Sequence, residues 1–189
     1  MLNKPQKFRL IDLVILALML ALNILLSRFL SIATPAAKIG FSFLPEAVAA
    51  VLYGPLGGMA VAGLGDLAGA LMFPIGPYFP GYTITALLRG AILGFGLYRR
   101  HPFWRILLTV ATSMVCCTLL LNSLWITVGG TWAGLLPENF SIAAFWAMLG
   151  SRLPQAGILC VVQTVVLELL LNRLHLDLHL RSLLKNQRG

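Results

Sequence analysis

From Leu10 to Ile32 the chain reads LIDLVILALMLALNILLSRFLSI, and only Asp12 and Arg28 in that run carry charge. A run of this length matches the roughly 20 residues that a helix needs to cross about 30 Å of hydrocarbon. Similar runs recur along all 189 residues, of which 59% are hydrophobic and 11% charged. A soluble domain carries about 25% charged residues, and about a third of its unfolded surface stays exposed at this size. Lipid is the solvent that removes the conflict, so the chain reads as an all-α integral membrane protein. Lys4, Lys7 and Arg9 precede the first run and SIATPAA follows it, as in a secretory signal. The run outlasts the apolar stretch of such a signal, roughly 7–15 residues, and is read as a first span.

Turn residues and charges divide the remainder. The predicted helices cover about 10–31, 41–53, 59–73, 82–98, 103–128 and 142–172, a bundle of six transmembrane helices in one domain over 1–189. The segment GPLGG is read as a compact turn that ends the second helix, since Gly and Pro interrupt helical patterns. Ten basic residues fall on one side: Lys4, Lys7, Arg9, Arg99, Arg100, Arg105, Arg173, Arg181, Lys185 and Arg188. Arg28 and Lys38 fall on the other, and Arg89 and Arg152 lie within helices. The excess of Lys and Arg marks the cytoplasmic side, which puts both termini there. It also puts FPIGPYFPGYT, residues 73–83, on the outer face.

Several functions are disfavoured by what the chain lacks. The net charge of +8 follows topology, and no basic aromatic patch of the nucleic-acid-binding kind accompanies it. No GxxxxGK[ST] cradle is present, so ATP-driven work needs partners. The six acids, Asp12, Glu46, Asp66, Glu138, Glu168 and Asp177, are scattered rather than grouped with histidine. Cys116, Cys117 and Cys160 lie in apolar runs and read as small hydrophobes. His175 and His179 are four apart without an acidic partner set. Neither metal nor cofactor is expected.

The polar residues left over lie toward the outer side. Arg28 and Lys38 either reach for headgroups or face a ligand, and Trp125 is either an interfacial ring or part of a pocket. Arg152 lies deeper, where a cation needs an anion or carbonyls. With Tyr78 and Tyr82 these suit a small organic anion bearing a flat ring: aromatic faces for the ring and cations for carboxylates. Asn122 and Gln155 offer paired donors and acceptors for a heterocycle edge. Asp66 and Arg89, opposite charges near mid-membrane, read as an interhelical ion pair.

The strings LSRFLSIATPAAKIGFSFLP, LYGPLGG, GDLAGALMFPIGPYFPGYT and ALLRGAILGFGLY, within residues 10–98, resemble the folate-family substrate-binding S components of energy-coupling factor vitamin transporters. The resemblance implies a non-enzymatic, six-helix protein of the bacterial plasma membrane that captures folate from outside. It implies docking on a transmembrane coupling subunit, served by two cytoplasmic ATPases, with Ala17 and Ala21 on helix one at the contact. It implies further that the first and third loops gate the pocket, the third being the stretch that holds Gly76, Pro77, Tyr78 and Tyr82. Glu46 stands where the family implies an apolar residue. Pantothenate, riboflavin or a queuosine precursor is an alternative vitamin. An intramembrane enzyme is the reading from another class.

Overall fold

The computed structural model describes residues 10–33, 38–74, 78–98, 102–127 and 142–173. The first apolar run forms α1 (Leu10–Arg28), whose buried residues are Asp12 and Asn23. Leu13, Leu18 and Leu25 are exposed. This reverses the pattern of a water-soluble helix. In hydrocarbon, apolar side chains face lipid freely, while polar ones turn to the bundle and find partners there. Asn23 reaches the Ser42 carbonyl, and Asp12 accepts from the Tyr53 hydroxyl at 3.3 Å.

The loop after α1 is not wholly irregular. A two-residue antiparallel ladder joins β1 (Ile32–Ala33) to β2 (Lys38–Ile39), with Ile32 opposite Ile39 and Ala33 opposite Lys38. The ladder is confined to this loop, and the bundle itself is all-helical as expected. Backbone groups that have left a helix still need partners, and here they find them across the loop.

The next helix, α2 (Phe43–Met72), runs over 30 residues where the sequence predicts two helices. Only Gly54 departs from helical geometry inside it, with φ 74° and ψ −159°, a region that glycine enters without steric cost. Eight residues of straight helix span about 12 Å. Yet a Cβ built on Gly58 would lie 3.1 Å from the Cβ of Ala50. The chain therefore turns back at Gly54, and the arms 43–53 and 55–72 lie side by side. The break is one residue, not the whole of GPLGG. Helix resumes at Pro55, whose missing N–H costs nothing in a first turn.

Helix α3 (Pro80–Leu97) begins two residues earlier than the sequence suggests, for the same reason: proline occupies its first turn. It runs antiparallel to the second arm of α2. A Cβ on Gly58 would stand 2.5 Å from the Gly90 carbonyl oxygen, so the two backbones touch. Membrane helices lack a hydrophobic force between them and gain from such close approach. Further along come α4 (Phe103–Ser113), a π-helical stretch (Met114–Leu121), α5 (Asn122–Thr127) and α6 (Ile142–Glu168), which ends in a second π turn (Leu169–Arg173). The π stretch adds a residue to each hydrogen-bonded ring. It offsets the buried face of α4 from the segment beyond, where Met114, Cys117 and Leu119 are buried.

An apolar core joins Ala47 and Val51 of α2, Leu93 and Leu97 of α3, Ile106 and Val110 of α4, Leu167 of α6 and Leu171 of the π turn that follows it. It occupies the C-terminal half of α3. The N-terminal half is left to aromatic and polar side chains. Among the described residues, Leu10–Arg28, Phe43–Met72, Phe103–Ile126 and Phe145–Leu171 are long and apolar enough to cross a membrane. The chain is a multi-pass membrane protein.

Candidate ligand site at the start of α3

Pro80 sets the first turn of α3, and Phe79 precedes it in an extended conformation. From there the Phe79 ring lies 5.4 Å from that of Trp125 and 5.9 Å from that of Tyr82. The Phe79–Tyr82 pair meets edge to face, the arrangement that ring quadrupoles favour. Trp125 is also held by its polar end, since Nε1 donates to Thr85 Oγ1 at 3.0 Å. Thr85 in turn donates to the Gly81 carbonyl, also at 3.0 Å. The indole is thus oriented twice, by ring packing and by a hydrogen bond.

A polar chain runs beside the rings. Thr83 Oγ1 donates to Asp66 Oδ2 at 2.9 Å, and the Tyr78 hydroxyl lies 3.0 Å from the same Thr83 oxygen. A threonine hydroxyl has one proton. Thr83 gives its proton to Asp66, so Tyr78 is the donor to Thr83. The order is Tyr78 to Thr83 to Asp66.

Two arginines flank this cluster. At the end of α1, Arg28 brings Nη2 to 3.4 Å from the Asp66 carbonyl oxygen. Its Nε is buried with no hydrogen-bond partner among the described residues, beside Gly69, where a Cβ would come within 2.8 Å of it. Arg152 is half-buried on α6, and its charge acts on the Tyr82 phenol. Arg28, Tyr78, Tyr82, Trp125 and Arg152, five of the residues nominated from the sequence, therefore belong to one neighbourhood. Asn122 on α5 and Gln155 on α6 are half-buried. Lys38 lies in β2. Gly76 and Pro77 lie outside the described residues, as do His175 and His179. Ala17 and Ala21 are exposed on α1. Among the described residues no three His, Cys, Asp or Glu side chains converge to hold a metal.

The expected Asp66–Arg89 ion pair is not what forms. Arg89 grips Glu46 in a bidentate pair, Nε to Oε2 at 2.8 Å and Nη2 to Oε1 at 2.6 Å. Asn23 Nδ2 adds a bond of 2.9 Å to Glu46 Oε1. Asp66 faces Thr83 across the antiparallel pair, and Arg89 lies six residues further along α3, about 9 Å on. The reversal at Gly54 brings Glu46 to Arg89 instead. Phe79, Thr83 and Thr85 escaped the sequence reading because a phenylalanine or a threonine in a membrane helix passes for ordinary packing. The one signal was the spacing of three between Phe79 and Tyr82.

Helices long and apolar enough to cross a membrane surround a cluster of rings, hydroxyls and cations, and so define a multi-pass membrane protein with a candidate ligand site. The model of the family "ECF transporter, substrate-specific component" matches residues 12–171, and the chain belongs to that family. It is 38% identical over 114 residues to the folate transporter FolT of Clostridium novyi, covering 60% of this chain and 66% of that one. It is 31% identical over 117 residues to the folate transporter FolT of Leuconostoc mesenteroides, covering 61% and 63%. The matched stretch is thus just short of two thirds of either relative. A crystal structure of FolT bound with folic acid superimposes with a TM-score of 0.75 at 27% identity, over 87% of this chain and 95% of that chain.

Proposed function

We propose that this chain is the folate-capturing S component of an energy-coupling factor transporter and has no catalytic role of its own. The observation that carries this is the Phe79–Tyr82–Trp125 ring cluster between Arg28 and Arg152, in a chain similar over 87% of its length to a folic acid complex. Folate joins a flat pterin to an aminobenzoyl group and a glutamate. The rings supply stacking faces, and the arginines supply cations for carboxylates. Tyr78, Tyr82 and Trp125 enclose the pterin, and Gly76 and Pro77 are further candidate contacts. Asn122 and Gln155 contact ring heteroatoms. Arg28, Lys38 and Arg152 take the anionic end.

The two arms of α2, with α1, α3, the α4–α5 run and α6, make six spans with both termini in the cytoplasm. The protein sits in the bacterial plasma membrane and docks through Ala17 and Ala21 on a transmembrane coupling subunit served by two ATPases. Isothermal titration of the purified chain with folic acid, pantothenate and riboflavin tests the ligand. Folic acid is expected to bind more tightly than micromolar. Tighter binding of another vitamin, or no binding of folic acid, refutes the reading.

A further inference from the structure

The α4–α5 run carries a buried stripe on Ile106, Val110, Met114, Leu119 and Ser123, in steps of four, four, five and four. On an α-helix a step of four drifts by about 40° and a step of five by about 140°. An unbroken α-helix could not keep these five residues on one side. The π stretch (Met114–Leu121) absorbs the odd residue. It opens on a shared bond, the Met114 N–H reaching both the Ala111 and the Val110 carbonyls. It closes on a bond over five residues, from the Asn122 N–H to the Cys117 carbonyl. Trp125 follows just beyond, and the absorbed residue sets its direction, toward the Phe79 ring and the Thr85 hydroxyl.

The same segment, MVCCTLLL, holds neither Gly nor Pro, so nothing in it forbids an ordinary α-helix. π turns are rare, short and frequent at functional sites. Were the stretch to become α-helical at full length, every residue beyond it would turn by about 100°. Leu119 would join the helical face of Leu108, Thr112 and Val115, all exposed, where lipid accepts it. Trp125 would leave Phe79 and lose its bond to Thr85. Backbone hydrogen bonding favours the α form, and the contacts of Trp125 favour the π form.

We infer that the π stretch is a two-state element that makes and unmakes the ligand site. The π form aims Trp125 into the ring cluster and binds. The α form withdraws the indole. A ligand stacked on the rings selects the π form. The inference rests on the folate reading, and its test is arranged so that the two can fail separately.

The full chain is placed in lipid nanodiscs with Trp104, Trp132 and Trp146 replaced by phenylalanine and Trp125 carried as 5-fluorotryptophan. Fluorine NMR of this parent is expected to show two resonances without ligand and one with saturating folic acid. Deleting Thr118, whose hydroxyl bonds Met114 Sδ within the same stretch, removes the odd residue. An ordinary α-helix then holds Leu119, Ser123 and Trp125 where the π form holds them. The deletion variant should show one resonance without ligand. It should also bind folic acid more tightly, by about twofold where the two free forms are equally populated.

Ser123→Leu pushes the other way at full length. It overfills a position that is 0% exposed in the π form, whereas the α form turns that position toward lipid. The ratio of resonances should move about tenfold toward the α form, with folic acid binding weakened about fivefold. Absence of folic acid binding by the parent refutes the folate reading, while the free proteins still decide the inference. A free parent whose resonance coincides with that of the deletion variant overturns the inference, as does a second resonance in that variant. An unchanged ratio in Ser123→Leu also overturns it, and this arm decides even where the deletion variant fails to fold.

Discussion

Glu46 is 1% exposed and accepts three side-chain hydrogen bonds, two from Arg89 and one from Asn23. Replacing Glu46 by leucine removes all three and leaves the Arg89 guanidinium without its anion. Breaking a buried pair from one side costs about 3–5 kcal/mol. The Arg89 side chain is 34% exposed, which leaves it room to swing toward another acceptor once Glu46 is lost, so the lower end applies, about 3 kcal/mol. Asn23 is only partly orphaned, because its Nδ2 also reaches the Ser42 carbonyl at 3.2 Å. For a chain of this length about 1 kcal/mol corresponds to roughly 2–4 °C in Tm, which gives a fall of about 6–12 °C for Glu46→Leu.

Arg89→Leu should fall by a similar amount, as it leaves Glu46 charged and buried with only Asn23 to donate. The double variant, which removes both charges together, should recover most of the loss. Thermal unfolding in detergent, followed by tryptophan fluorescence, measures all three. Additive losses in the double variant, or a change of under 1 °C (about 0.3 kcal/mol) in each single one, would show that the pair is not coupled and that the reasoning is wrong.

Two further outcomes follow from the contacts. Gly90→Ala drives a Cβ into the Gly58 backbone, where neither partner can rotate away, and overpacking of that kind costs about 1–3 kcal/mol; a lower Tm in the same assay checks it, with Gly150→Ala, which meets nothing within 4 Å, as the neutral control. Trp125→Phe keeps a ring beside Phe79 but loses the Nε1 bond to Thr85; the bond is worth about 1 kcal/mol, so titration should show folic acid affinity falling about fivefold, and a larger fall for Trp125→Ala.

The membrane class and a set of polar and aromatic candidates for the site were legible in the chain, because each depends on local composition. Twenty apolar residues can cross a bilayer in one way, and Gly and Pro mark where helix cannot simply continue. Even the reversal between the arms of α2 was visible as GPLGG, although its reduction to Gly54 was not. Arg28, Tyr78, Tyr82, Trp125 and Arg152 were nominated for the same local reason: a polar or aromatic side chain in an apolar setting needs a purpose.

Partnership was another matter. Arg89 and Asp66 looked matched because both are charged and near mid-membrane, yet Arg89 takes Glu46, 43 residues away, and Asp66 takes Thr83. Which side chains meet depends on how far each helix is rotated and slid against its neighbour. In lipid that is set by backbone approach at pairs such as Gly58 and Gly90 rather than by an apolar stripe that could be read from the chain. The rings of Phe79 and Trp125 come together across 46 positions for the same reason. Helix formation in a membrane is a property of each segment alone. The site belongs to the contacts between segments, and only the tertiary structure contains those.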